Sequence, residues 1–380
     1  MTSSMTSEYS VLLICDFGDF LLERILRVYK YFRQPPQITL ITRATIRSLD
    51  TRLVARLQTV PLPTQEFDRR SLLSVPLVVG YLICALILGA KLMSAKRRIS
   101  FVHAHYIFPQ GLVALLLSRL VRAKLVISAV GQDVNIMMRH SALRAMCRFV
   151  LRQASVVIAV SDPIRKTLLS YGISNTVYIP NSVDASPINS SRENANPNQI
   201  LFVGSMTARK RPLILLRAFE RVSQRMPSAR LVMCGDGPLK ETVQTEVQRL
   251  HLSEKVTLLL HVSQEEMAQL RSRSAIFVLP SVSEGLSLAL LEAMAAGQLV
   301  IASRNESHMS VIRSGLDGLL FGLDDIEDLS RQLILAMKDT SLRVRISNAA
   351  KSLCESEFSN SVVAERLEKI YLENMKSISR

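Results

Sequence analysis

Two glutamates eight residues apart, Glu284 and Glu292, stand in the stretch Pro280-Ser-Val-Ser-Glu284-Gly285-Leu286-Ser287-Leu288-Ala-Leu-Leu-Glu292-Ala-Met-Ala-Ala-Gly297. The pattern predicts the end of a buried strand (Ala275 to Leu279), a short loop, and a helix that Gly297 stops. Gly285 lets backbone approach a ligand, and the N–H groups of Leu286, Ser287 and Leu288 are the unsatisfied donors of a helix start. Such a terminus seats a phosphate, and carboxylates beside it accept hydrogen bonds from hydroxyls. A ligand that is both phosphorylated and polyhydroxylated fits this set, and a nucleotide sugar is the commonest of that kind. A pair of glutamates is equally what a charged first turn and a solvated helix face would carry. Glu292 is set among apolar and small residues, where a carboxylate is costly unless something hydrogen-bonds to it, and that favours a ligand.

Four further stretches carry candidate chemistry. Phe202-Val-Gly204-Ser205-Met-Thr-Ala-Arg209-Lys210-Arg211-Pro212 is a strand, a glycine and a basic triplet entering a Pro-led helix. It reads as a phosphate-facing loop, with Lys210 placed to neutralise a departing diphosphate, or as a solvated basic turn. Cys234-Gly235-Asp236-Gly-Pro238 is a second strand-to-loop turn, compatible with ligand contact or with a tight turn alone. Val102-His103-Ala-His105-Tyr106 ends an earlier strand. Its histidines are expected on opposite faces, so that one can be a core histidine while the other points toward a cleft. Gly131-Gln132-Asp133 ends the next strand, where Asp133 could accept a hydroxyl proton or hydrogen bond. Ile179-Pro-Asn181-Ser-Val-Asp184 reads as a turn.

The elements that must hold these residues alternate regularly. Apolar runs at Val11–Cys15, Ile38–Thr42, Phe101–His105, Leu125–Ser128 and Val156–Val160 read as central strands, with helices beginning near Asp19, Pro109, Met138 and Asp162. A second series has strands at Ile200–Val203, Arg230–Cys234, Val256–Leu260, Ala275–Leu279 and Leu299–Ala302. Alternation of this kind predicts an α/β chain of two doubly wound, Rossmann-like domains, with ligands at the strand C-termini in a cleft between them. The expected division is an N-terminal acceptor-binding domain over 1–183, a Ser-, Asn- and Pro-rich linker over 184–199, a C-terminal donor domain over 200–358, and a final helix over 359–380 that crosses back to the first domain.

Composition narrows the class. The 380 residues are 48% hydrophobic and 21% charged, with a formal net charge of +15. Basicity invites nucleic acid, but aromatics are 5%, Trp is absent, and no nucleic-acid-binding motif stands out. An anionic membrane surface and phosphorylated substrates account for the charge better. Five scattered cysteines without a C-x-x-C spacing suggest buried thiols in a reducing compartment. The polar N-terminus lacks a signal-peptide core, so a cytoplasmic protein is expected.

The ordered motifs from about Phe101 to Phe358 resemble the retaining glycosyltransferases of group 1, also called family 4, which have the GT-B fold. The resemblance is strong in the C-terminal half and looser before residue 100. It implies metal-independent transfer of a sugar from a nucleotide donor, without a cofactor. It also implies roles: Glu284 on the donor sugar hydroxyls, Glu292 on the ribose, Lys210 on the diphosphate, and the backbone of Gly285 to Leu288 on the distal phosphate. Gly204, Ser205, Arg209, Arg211 and Gly235 complete the donor set, and His105 and Asp133 line the acceptor side. The chain departs from the family pattern in three places. Ser205 replaces an arginine of the diphosphate clamp, for which Arg209 or Arg211 could substitute; Val130 replaces a histidine; and Asp16-Phe-Gly18-Asp19 holds one glycine where the family has a richer turn.

Residues 71–90 carry no charge and are long enough to span a bilayer. A single crossing would put strands of one sheet on opposite sides, so the segment is expected to be a buried helix or one lying at the membrane interface. Basic stripes at Arg24, Arg27 and Lys30, at Arg144, Arg148 and Arg152, and the cluster Lys96-Arg97-Arg98 favour the interface, on the inner face of the cell membrane. The expected function is transfer of a sugar to a lipid-linked or envelope-glycan acceptor. Two alternatives remain open at this level: a non-catalytic GT-B-like partner subunit, and a nucleotide-sugar epimerase of the same fold.

Overall fold

A computed structural model describes residues 9–15, 19–42, 58–61, 83, 86–87, 90, 98–135, 137–184 and 195–376. The chain divides into two compact units, one formed by 1–180 with 360–380 and the other by 181–359. The expected boundary at 183/184 thus falls a few residues late.

In unit 1 the strands are β1 (Ser10–Ile14), β2 (Gln37–Thr42), β3 (Gln58–Pro61), β4 (Phe101–His105), β5 (Lys124–Ala129), β6 (Val156–Ala159) and β7 (Thr176–Tyr178). They form one parallel sheet in the order β3-β2-β1-β4-β5-β6-β7. The helices between them include α1 (Asp19–Tyr29), α2 (Gln110–Leu120), α3 (Gln132–Asn135), α4 (Ser141–Gln153) and α5 (Asp162–Ser170). Central strands read as unbroken apolar runs because both faces are covered, and Val11, Leu12, Leu13 and Ile14 are all buried.

In unit 2 the strands are β8 (Asn196–Val203), β9 (Arg230–Cys234), β10 (Val256–Leu259), β11 (Ser274–Leu279), β12 (Leu299–Ser303) and β13 (Leu319–Phe321), again parallel, in the order β10-β9-β8-β11-β12-β13. The helices are α6 (Pro212–Arg225), α7 (Lys240–Arg249), α8 (Gln264–Arg273), α9 (Leu288–Ala295), α10 (Glu306–Met309), α11 (Ile326–Lys338) and α12 (Thr340–Leu353). β8 begins four residues inside the expected linker, because Asn196 pairs with Ser274 of β11. Residues 185–194 of that linker lie outside the described residues. Gly297 ends α9 as expected, at φ +70°, with Gly297 N–H donating to Met294 O and Gln298 N–H to Ala293 O.

The last helix, α13 (Asn360–Lys376), belongs to unit 1. Val363, Ala364, Leu367 and Tyr371 enter the core that holds Val11, Leu13, Leu26 and Phe101. The Glu368 carboxylate accepts from the backbone N–H groups of Arg33 (3.1 Å) and Gln34 (2.7 Å). The final helix therefore packs back on the N-terminal domain. Each sheet reverses its strand order once, between β1 and β4 in unit 1 and between β8 and β11 in unit 2. A crevice opens at the strand C-termini of such a point, and the candidate residues come from there.

Candidate donor site

The loop after β8 and the loop after β11 meet at the switch point of unit 2. Val282 N–H donates to Arg209 O (2.8 Å) and an Arg209 guanidinium nitrogen donates to Ser283 O (2.8 Å), so one backbone and one side-chain hydrogen bond stitch the two loops together. Across this seam lies Glu284, its side chain 8% exposed, with Lys210 Nζ 2.7 Å from Oε1 and an Arg209 nitrogen 2.7 Å from Oε2. Burial alone would raise the Glu284 carboxyl, but Lys210 and then Arg209 outweigh it and hold it below the usual carboxylate range. Lys210 packs its aliphatic chain on Gly204, where an added Cβ would sit 3.4 Å from its Cδ and Cε.

Arg211 goes elsewhere. It adopts φ +53° as the chain turns into α6, and its guanidinium pairs with Asp324 at 3.0 Å. Ser205 is exposed. Gly235 has φ +139°, and a Cβ there would lie 2.2 Å from Gly204 O. Gly204 N–H also donates to Cys234 O (2.9 Å). The Cys-Gly-Asp-Gly turn is thus required by close backbone packing against the loop after β8.

On the β11 side, Ser287 caps α9 by accepting from Leu290 N–H (3.5 Å). The loop is also held by residues to which sequence reasoning assigned no such role. Ser307 Oγ donates to Gly285 O (3.0 Å), Asn305 Nδ2 to Ser281 O (2.8 Å), and Asn181 Nδ2 to Leu286 O (3.1 Å). Asn181 thereby does more than form a turn. His308 is buried beneath, its Nδ1 2.8 Å from Ser303 O and therefore protonated there, and burial lowers its pKa below 6.5. Only the Asn305 helix cap, with Oδ1 accepting from His308 N–H, left a trace in the sequence.

Glu292 is buried at 8% exposure and is met by the guanidinium of Arg271 from the last turn of α8. This corrects one step of the sequence argument. The cost of a carboxylate on an apolar helix is met by a cation of the protein itself, so burial of Glu292 does not by itself require a ligand.

The residues expected on the acceptor side, His105 and Asp133, lie in unit 1. His103 and His105 were expected on opposite faces, yet their rings stack at 4.5 Å and 24°. Residues two apart on a strand share a face, and the expectation misapplied that period. His103 is locked, with Nδ1 2.6 Å from Tyr371 Oη and Nε2 2.9 Å from Ser128 Oγ. Tyr371 Oη also lies 2.9 Å from Tyr29 Oη. His105 is partly exposed, its Nε2 is buried without a hydrogen-bond partner, and burial lowers its pKa to about 4. Asp133 is fully buried. Its Oδ1 accepts from the N–H groups of Gly131 (2.8 Å), Val130 (3.1 Å) and Val134 (3.1 Å), and Oδ2 from Ile107 (3.2 Å). A carboxylate so filled braces the loops after β4 and β5, and the expectation of a proton acceptor does not fit it. The single-glycine turn at Asp16 to Gly18 lies outside the described residues.

Two Rossmann-like parallel-sheet units, with a basic loop beside a buried carboxylate in the second and a C-terminal helix that returns to the first, have the GT-B fold. Family models agree: Glycosyltransferase Family 4 matches residues 33–186 and Glycosyl transferases group 1 matches residues 185–353. The chain is a glycosyltransferase of this group 1 and family 4 type. It is 26% identical over 309 residues to N-acetyl-alpha-D-glucosaminyl L-malate synthase of Bacillus anthracis, covering 77% of this chain and 80% of that protein. It is 31% identical over 224 residues to the phosphatidyl-myo-inositol mannosyltransferase of Mycobacterium tuberculosis, covering 56% and 58%. The crystal structure of Anabaena HepE in complex with UDP superposes with a TM-score of 0.75 at 17% identity, over 97% of this chain and 100% of that one, a likeness of fold.

Proposed function

We propose that the protein transfers a sugar from a nucleotide-sugar donor to a lipid-linked or cell-envelope glycan acceptor, with retention of configuration, at an anionic membrane surface. The observation that carries the donor half is the buried Glu284 carboxylate bracketed by Lys210 and Arg209 at the switch point of unit 2. Two cations beside a helix start suit a diphosphate, and a buried carboxylate among them suits the hydroxyls of the sugar it carries. In the reaction the bond from the anomeric carbon to the diphosphate oxygen breaks. The bond to the acceptor oxygen forms on the same face, and the acceptor proton passes to the departing diphosphate. Lys210, Arg209 and the N–H groups of Gly285 to Leu288 stabilise the charge that develops there. Glu284 holds the sugar, and because both its oxygens are engaged by cations it is assigned no nucleophilic role. Glu292 accepts from the ribose. His105 contributes to the acceptor side in unit 1.

Exposed apolar side chains support the membrane half. Ile83, Leu86, Ile87 and Ala90 are helical and exposed, at the 3–4 spacing of one helix face. Phe149 on α4 is 57% exposed between Arg148 and Arg152. An apolar face with basic neighbours suits the interface of an anionic bilayer. No helix among the described residues is long and apolar enough to cross a membrane. The mannosyltransferase relative is named for a phosphatidyl-inositol acceptor, which also favours a lipid-bearing acceptor here.

The test is nucleotide release from UDP-, GDP- and ADP-sugars, with membrane lipid extract as acceptor and mass spectrometry of the product. One donor class should turn over, and Glu284→Gln should abolish it. No release with any donor would defeat the transfer reading. For the membrane, Arg148→Glu with Phe149→Ser should reduce sedimentation with vesicles containing phosphatidylglycerol. Equal recovery in the supernatant with and without vesicles would restrict these residues to the soluble surface.

A further inference from the structure

Arg271 has no place in the donor set derived above, yet its guanidinium meets Glu292, a member of that set. It leaves α8 at the last turn and meets Glu292 of α9, both side chains largely buried at 13% and 8% exposure. Burial raises the thiol of Cys234, the last residue of β9, to about 11, and the Arg271 charge pulls it back down. β9 and β11 flank β8 in the sheet, and α9 follows β11. Arg271 thus ties the helix that precedes β11 to the helix that follows it.

As a stability device the pair has little to offer. Its neighbours on α9, Leu290, Leu291, Ala293 and Met294, are buried and apolar. In such a layer an ion pair is commonly matched or bettered by two hydrophobic side chains of the same volume. What the pair does supply is a carboxylate with a fixed direction. Glu292 on its own would choose among several rotamers and would carry an uncompensated buried charge. Held by a planar guanidinium, it meets an incoming pair of vicinal hydroxyls without reorganising.

We infer that Arg271 is a positioning residue for nucleotide recognition, fixing Glu292 so that the donor's ribose meets an oriented carboxylate. This rests on the assignment of Glu292 to the ribose. It makes Arg271 a determinant of donor affinity that contacts the carboxylate, with the chemical step left to Lys210, Arg209 and Glu284.

The experiment uses the full chain and titration calorimetry with free UDP, GDP and ADP, beside steady-state kinetics with the donor sugar that turns over. Arg271→Met should weaken the nucleotide bound by wild type about 10- to 100-fold, the range of a lost charge-assisted hydrogen bond. Donor KM should rise by a similar factor while kcat at saturation stays within about twofold, a split that general loosening of the fold would not produce. Arg271→Lys should recover most of the loss. Because the two residues act as a unit, Arg271→Met combined with Glu292→Gln should bind no more weakly than Glu292→Gln alone. Should Arg271→Met fail to fold, Arg271→Gln, which keeps an N–H donor, carries the same comparisons. Wild-type affinity in a folded Arg271→Met protein overturns the inference, as does a loss that adds fully to that of Glu292→Gln, since Arg271 would then touch the nucleotide itself. If Glu292→Gln leaves binding unchanged, the ribose assignment beneath it has failed instead.

Discussion

Replacing Lys210 by methionine keeps most of the side chain's volume against Gly204 and removes only its charge. Two effects should separate. In the free protein Glu284 loses the cation 2.7 Å from Oε1 and, at 8% exposure, gains little water in exchange. Breaking a buried ion pair costs about 3–5 kcal/mol, but Arg209 still holds Oε2, so a loss of about 1–3 kcal/mol is expected. The loss should shrink in acid. The folded Glu284 carboxyl sits below its usual 4.5, so the stability it contributes is present above that pH and disappears as pH falls through the folded value. Without Lys210, the larger of the two cationic influences, the variant has less of this stability to lose, so wild type and variant should converge as pH falls. In the reaction, one charge-assisted hydrogen bond to the departing diphosphate is worth about 1.5–3 kcal/mol, or roughly 10- to 150-fold in kcat. Urea unfolding from pH 4 to 8 measures the first effect, and nucleotide release at saturating donor and acceptor the second. The double variant Lys210→Met with Glu284→Gln should be more stable than Lys210→Met alone, because no orphan charge remains. A folded Lys210→Met protein with undiminished turnover would remove Lys210 from leaving-group stabilisation.

Other outcomes follow from the same geometry. Arg209→Ala should slow transfer by about 10-fold or more, whereas Arg211→Ala, which loses only the partly exposed pair with Asp324, should cost less than about 1 kcal/mol of stability and little activity. Equal defects in release assays would contradict this split. Ser205→Arg at its exposed position should be tolerated, as a melting scan and a release assay would report. Burial keeps His103, His105 and His308 neutral, so stability should fall as pH drops below 6.5. For His105 the drop from 6.5 to about 4 corresponds to about 3 kcal/mol, fully lost near pH 4. A His105→Phe protein whose urea midpoint follows wild type across that range would refute it. Tyr371→Phe strips the hydroxyl shared by His103 and Tyr29 and should cost about 1–3 kcal/mol, with an unchanged melting temperature as the refuting result.

The sequence by itself determined the periodic part of this protein. Central strands of a parallel sheet are covered on both faces, so Val11 to Ile14 and Ala275 to Leu279 appear as unbroken apolar runs, and Gly297 marks a helix end because only glycine takes φ +70° without strain. The chemical types at the donor site were legible for a related reason: a glycine, a basic triplet and a carboxylate near a helix start have a direct physical use. The short strands β3, β7 and β13 were not legible, since three or four residues carry too little pattern. The first turn of β8 was hidden because Asn196 and Pro197 look like loop residues until β11 lies beside them. Pairing across the chain was decided only by the tertiary structure. Arg209 and Arg211 are chemically equal in sequence, and the left-handed turn at Arg211 sends one to Glu284 and the other to Asp324. Arg271 is an ordinary basic residue of a last helical turn until the fold brings its guanidinium to Glu292. Asp133 could be a base until four backbone N–H groups, two from the loop after β5, one from its own helix and one from the loop after β4, close on its carboxylate. A charged group's role depends on which partners lie within about 3 Å, and that distance is set by packing between segments far apart in the chain.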